Sequence, residues 1–126
     1  MLANKQKKHD RRKDKRYIAK NGAFAALSKN NRLGQIMNVS RSGLAFRYIE
    51  DKNDKIELDE LKILMPQVDF FLEQVIFKTV SDFAVEQNLP FRSIQMRQAG
   101  LQFRNLTPKQ ELKLSHFILN HTMGEA

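Results

Sequence analysis

Two arginines four residues apart, Arg12 and Arg16, and a polar stretch, Asn38, Val39, Ser40, Arg41, Ser42, Gly43, are the residues of this chain best suited to recognition chemistry. A guanidinium is a planar, permanently charged fork that grips a phosphate with two parallel hydrogen bonds and also matches the O6 and N7 edge of guanine. Spaced by four, two such forks clamp one ligand from a segment that orders on binding. Asn38 adds a polar edge, Ser40 a hydroxyl, and Gly43 room for a close backbone approach. Together these groups suit a guanine nucleotide. Each half is ordinary alone, since Asn, Ser and Gly between apolar runs are also plain turn chemistry.

Other chemistries find little support. There is no cysteine, so disulfides, thiolate metal sites and cysteine nucleophiles are excluded, and a reducing, cytoplasmic location is expected. The histidines are His9, His116 and His121; the last two are five apart, which does not match the i, i+4 pair of a helical metal site. Ser40 and Ser42 have no His or Lys base beside them in sequence. The expectation is a protein without catalysis, cofactor or metal. No apolar run approaches the ~20 residues of a membrane helix, and no signal-peptide pattern is present.

The net charge is +8, and its location matters. Residues 1 to 20 hold nine Lys and Arg against Asp10 and Asp14, whereas the other 106 residues hold 13 basic and 12 acidic groups. Seven of the eight net charges therefore lie in one terminal segment. A near-neutral body argues against the broad basic face of a duplex-DNA binder.

The elements that must position these groups read as mainly β. Residues 1 to 20 hold few apolar side chains and are expected to be mobile without a ligand. Ala23 to Leu27 is a short apolar run, and Leu33 to Val39 reads as a strand that enters the polar turn. Leu44, Phe46 and Tyr48 then alternate with Ala45 and Arg47, the period of a strand buried on one face. Residues 50 to 60 read as a solvated loop, and Leu61, Ile63 and Met65 as a strand ended by Pro66. Val68 to Leu72 and Val75 to Val85 read as extended, with Glu73 and Gln74 as a bend between two strands. Phe91 to Arg97 and Gly100 to Phe103 continue in strand style. Thr107, Pro108 and Gln110 form a capping box that starts a helix running to about His121, with Leu114, Phe117 and Ile118 as its apolar stripe and Leu112 and Leu119 widening it. The nine Phe are expected in the core rather than on a base-stacking platform. The pattern fits a small antiparallel barrel or sandwich with a terminal helix.

Arg12, Lys13, Asp14, Lys15, Arg16 followed by Asn38, Val39, Ser40, Arg41, Ser42, Gly43 resembles the two-part signature of PilZ domains, Arg-x-x-x-Arg and then Asp/Asn-x-Ser-x-x-Gly. Gly100, Leu101, Gln102, Phe103 and the helix after it resemble the late strand and terminal helix of that family. The resemblance implies a six-stranded antiparallel β-barrel with a C-terminal α-helix that binds cyclic di-GMP. Residues 1–20 would be the basic segment, 21–122 the barrel and helix, and 123–126 a tail. Arg12 and Arg16 would grip phosphate and guanine edges, Asn38 and Ser40 would contact guanine or phosphate, and Gly43 would hold the turn. Arg41 is either a ligand contact or a surface charge, and Arg11 is placed to meet a second ligand molecule. The signal would pass to an unidentified protein partner, with a homodimer as one form of association. The alternatives are an adaptor of the same fold that binds protein without nucleotide, and a single-stranded nucleic-acid-binding barrel.

Overall fold

The computed structural model describes residues 14–28, 32–50, 60–86 and 94–126. Among the described residues there are eight strands: β1 (Tyr17–Ala19), β2 (Phe24–Leu27), β3 (Arg32–Val39), β4 (Gly43–Ile49), β5 (Glu60–Met65), β6 (Phe70–Ala84), β7 (Met96–Arg104) and β8 (Thr122–Glu125). An α-helix, α1 (Pro108–Asn120), lies between β7 and β8, and a 3-10 turn, Pro66–Val68, lies between β5 and β6. The strand order β2-β5-β6-β7-β4-β3 closes on itself because β2 also pairs with β3. Every pairing in that ring is antiparallel. The result is a closed six-stranded antiparallel barrel with one C-terminal helix, as expected.

Alternation drives the closure. On β4, Leu44, Phe46 and Tyr48 are buried; on β5, Leu61, Ile63 and Met65; on β7, Leu101 and Phe103. Each set occupies every second position and so faces the barrel interior. Phe46 and Phe77 are wholly buried. Core burial also accounts for Phe70, Phe103 and Phe117, but Phe83 is half exposed. The helix begins as its sequence dictates, with the Thr107 hydroxyl accepting from the Gln110 N–H and the Gln110 side chain accepting from the Thr107 N–H. Leu114 and Phe117 are buried against the barrel, Phe117 packing on Phe70 with ring centroids 5.1 Å apart. Leu112 and Leu119 stay exposed.

Three features differ from the sequence reading, and a fourth adds to it. Strand β1 lies inside the segment assigned to a mobile arm: Tyr17 pairs with Val39 and Ile18 with Asn38, on the stretch of β3 that extends beyond its pairing with β2. The earlier part of that arm lies outside the described residues. The expected tail forms β8, which pairs with β1. Both strands are too short to show a period. Third, the stretch from Phe70 to Ala84 is one strand. Gln74 takes a left-handed conformation (φ 58°), and Glu73 and Gln74 together stand opposite Lys62, which is a β-bulge and not a chain reversal. Finally, Gly34 is needed for close approach: a Cβ there would overlap the Arg47 carbonyl oxygen and crowd the Phe46 ring.

Two predictions follow from this packing. Gly34→Ala should destabilise the fold by about 2 kcal/mol or more, because the obstacle is backbone, read as a lowered urea midpoint. His121, against the Phe70 and Phe117 rings at 6.0 and 5.6 Å, is held below the ordinary imidazole value of 6.5, first by burial and then by the nearby His116 and Lys20. The unfolded chain then takes up a proton that the fold resists, so stability should fall as pH drops through about 6.5. His121→Gln should flatten that slope in thermal melts between pH 7.5 and 5.5.

Candidate ligand-binding groove

Register places the outward-facing residues of three adjacent strands in rows. Gly43, Ala45 and Arg47 of β4 stand opposite Gln102, Gly100 and Gln98 of β7. Those in turn stand opposite Lys78, Ser81 and Phe83 of β6, with Val80 as the extra residue of a bulge. Outward positions of a barrel strand normally carry polar side chains. Here Gly43, Ala45 and Gly100 bring at most a methyl group, giving a low floor on which Ala45 is buried and the Ser81 hydroxyl lies over Gly100. Around it opens a groove of about 480 Å³, lined by Asp14 and Arg16, by the turn residues Ser40, Ser42 and Gly43, and by Val80, Ser81, Phe83, Gln98 and Gln102.

The turn at the groove's end is held from within. The Ser40 hydroxyl oxygen accepts from the Ser42 N–H at 3.1 Å and the Gly43 N–H at 3.2 Å, and the Ser40 N–H donates to the Gly43 carbonyl at 2.8 Å. Ser42 in turn accepts from the Phe103 N–H at 2.8 Å, tying the turn to β7. Ser40 is 4% exposed. Its hydroxyl is therefore committed first to turn geometry. Gly43 is required for a related reason: a Cβ there would overlap the Leu101 carbonyl oxygen. The close backbone approach that the sequence leads one to expect is made by the chain itself.

Arg16 reaches the groove because β1 is clamped on both sides. Beyond the pairing to β3, the Ala126 N–H donates to the Arg16 carbonyl at 2.9 Å, the Lys20 N–H donates to the His121 carbonyl at 3.0 Å, and Lys15 Nζ lies 3.0 Å from Glu125. The Lys15 ammonium is held above its ordinary value, first by its hydrogen bond to Glu125. The ion pair is exposed and contributes little to stability, but the backbone bonds fix the direction of the arm.

Of the residues singled out by sequence, Arg16, Ser40 and Gly43 come together in the groove. Arg11 and Arg12 lie outside the described residues. Asn38 stands opposite Ala45 on β3, one row from the floor, and its Oδ1 is buried without a hydrogen-bond partner among the described residues. Arg41 points away, its guanidinium 3.5 Å from the Ser115 hydroxyl of α1. It lines a second groove of about 610 Å³ with Leu106, Pro108, Glu111, Leu112 and Ser115. As the middle residue of a tight turn, Arg41 is directed opposite to its neighbours Ser40 and Ser42.

Sequence reasoning missed Asp14, Ser81, Phe83, Gln98 and Gln102. The signal available was the run of small residues at outward positions, Gly43, Ala45 and Gly100, which lowers the surface of the sheet between taller neighbours. It also missed what secures the far end of the groove. The Tyr48 hydroxyl lies 2.8 and 2.7 Å from the two Asp82 carboxylate oxygens, Arg97 Nε donates to Asp82 at 2.9 Å, and Arg97 reaches Glu50 at 3.3 Å. The Tyr48 phenol is pushed up to about 12, first by burial and then by its bond to Asp82. Arg32 lies 4.6 Å over the same ring. These contacts pin β6 beyond the barrel wall, and Phe83 is the residue after Asp82. Among the described residues, no group of three or more His, Asp or Glu side chains is placed to hold a metal ion, and no helix is long and apolar enough to cross a membrane.

Compared with known protein families, with curated proteins and with solved structures, the chain matches none.

Ser40→Ala leaves the Ser42 and Gly43 N–H groups without their acceptor and should cost about 1–3 kcal/mol, whereas Arg41→Ala should change stability by less than about 0.5 kcal/mol. Chemical unfolding of the two variants beside wild type checks the contrast.

Proposed function

We propose that this chain is a receptor for cyclic di-GMP that acts without catalysis and passes the signal to a protein partner. The observation that carries the reading is the convergence of Arg16 with the Ser40–Gly43 turn in one groove, although more than twenty residues separate them in sequence. These are parts of the two motifs through which the chain resembles PilZ domains, and β1 pairing on β3 brings them together.

The chemistry supports the same reading. Arg16 lines the groove and supplies a positive fork for a phosphate or a guanine O6/N7 edge. Asp14 adds a carboxylate, which suits the N1–H and N2–H donors of guanine. The groove lies within the ~300–1,000 Å³ span of small-ligand sites. In the proposed mechanism Arg12 joins Arg16 on the ligand and Arg11 stacks on or bonds a second ligand molecule. Ser40 acts through the shape of the turn. The second groove offers Arg41, on the reverse of the same turn, as a route from ligand to partner surface.

One observation favours the adaptor reading, in which a PilZ-like barrel binds protein without nucleotide. Leu112 and Leu119 are 74% and 82% exposed on α1, seven residues apart on one helical face. Titration calorimetry separates the two. Cyclic di-GMP should give saturable heat with wild type, and Arg16→Ala and Arg12→Ala should each weaken binding at least ~10-fold, as loss of a charge-assisted hydrogen-bond pair implies. No heat from wild type at high micromolar ligand would sink the receptor reading and leave the adaptor.

A further inference from the structure

Among the described phenylalanines, Phe24 and Phe71 are half-buried and Phe83 is the one that is exposed, at 50%, and it lines the groove. A half-exposed aromatic beside a polar network is costly to leave in water, and three local features aim it. The bulge at Val80 re-directs β6 just before it. Asp82, the preceding residue, is tied to Tyr48 and Arg97. Directly across on β7 is Gln98, and beside the pair lie Gly100 and Ala45, with only the small Ser81 side chain over Gly100.

Gln98 is itself oriented. Arg47 Nε donates to Gln98 Oε1 at 2.9 Å. With its oxygen held by a group that can only donate, the amide turns its Nε2 donors to the other side. A donor pair beside a flat aromatic face is complementary to a planar base with an acceptor edge. Guanine presents two acceptors, O6 and N7, on one edge, whereas adenine places an N6 amino donor where guanine has O6.

We infer that Phe83 is the stacking platform for one base of the ligand and that Gln98, oriented by Arg47, reads that base as guanine. The inference rests on the reading of the groove as a nucleotide site, and it adds to it a seat for the base at the end of the groove away from the Ser40–Gly43 turn. Arg16 then serves the phosphate side and Phe83 the base side of the same ligand. Stacking on a half-exposed ring gives selectivity for planar groups over ribose or phosphate, and the amide gives selectivity among purines.

The chain contains no tryptophan, so Phe83→Trp introduces a single emitter at the proposed platform. Cyclic di-GMP should quench it on binding, Phe83→Ala should weaken binding about 10-fold, and both variants should keep the wild-type melting midpoint because the ring is half exposed. Gln98→Glu keeps the partner of Arg47 but replaces donors with acceptors, so it should weaken cyclic di-GMP about 10-fold and narrow the preference over cyclic di-AMP. If wild type binds cyclic di-GMP while Phe83→Ala binds equally well and the introduced tryptophan is unquenched, the platform is wrong and the nucleotide reading stands. If wild type gives no heat with cyclic di-GMP, both fall together.

Discussion

The pairing of β3 with two partners along a single edge is the constraint on which the rest of the structure depends. Its first half, from Arg32 to Gln35, pairs with β2 and closes the barrel, while Asn38 and Val39 pair with β1. A strand longer than the closure requires leaves backbone groups that must find partners, and β1 supplies them. Because β1 is reached from the basic segment, the same backbone hydrogen bonds that complete β3 deliver Arg16 to the rim of the outer sheet. Strand β8 then satisfies the other edge of β1 and covers it. The barrel would close without β1 or β8, but Arg16 would then have no defined direction.

A second consequence concerns the outer wall. Closure turns one face of every strand inward, so the other face must carry whatever the barrel does. On β4 and β7 the outward face is Gly43, Ala45, Gln102 and Gly100, residues poor at shielding a sheet from water and good at admitting a flat ligand. The walls around that strip are all anchored: the turn through the Ser40 hydroxyl, Gln98 through Arg47, and β6 through Tyr48 and Asp82. Anchored walls lower the ordering cost that binding must offset. On the proposed reading, that preorganisation is what the polar residues contribute, and direct contact with the ligand falls to fewer groups than the signature alone implies.

The barrel was legible in the sequence where one face is buried and the period of two is clean, as at Leu44, Phe46 and Tyr48, or at Leu61, Ile63 and Met65. The helix was legible from Thr107, Pro108 and Gln110, whose capping chemistry is local. What escaped depends on non-local backbone pairing. Tyr17–Ala19 and Thr122–Glu125 are strands only because each has a partner, and neither has the length to show it. Glu73 and Gln74 look like a bend because a bulge and a turn use the same residue types; only the partner strand distinguishes them. Within the candidate site, the turn was found and its placement beside Arg16 follows, but Phe83 was assigned to the core with the other phenylalanines. Composition places Phe inside on average, and nothing in sequence marks β6 as outrunning the barrel wall.

The turn from Ser40 to Gly43 has two sides, and their separation constrains how a signal could leave the groove. Ser40 and Ser42 face the groove, while Arg41 between them faces α1 and the exposed Leu112. Two N–H bonds to the Ser40 hydroxyl oxygen tie Ser42 and Gly43 to Ser40 and couple the turn's residues to one another. On the proposed reading, a ligand that shifts the turn would shift Arg41 against Ser115. The contact there is long, at 3.5 Å, and exposed, so it resists such a shift weakly. The tie to Phe103 on the groove side is 2.8 Å and made by backbone. Displacement is thus easier toward the helix than into the barrel, and the surface beside α1 is where a change in the groove would be felt.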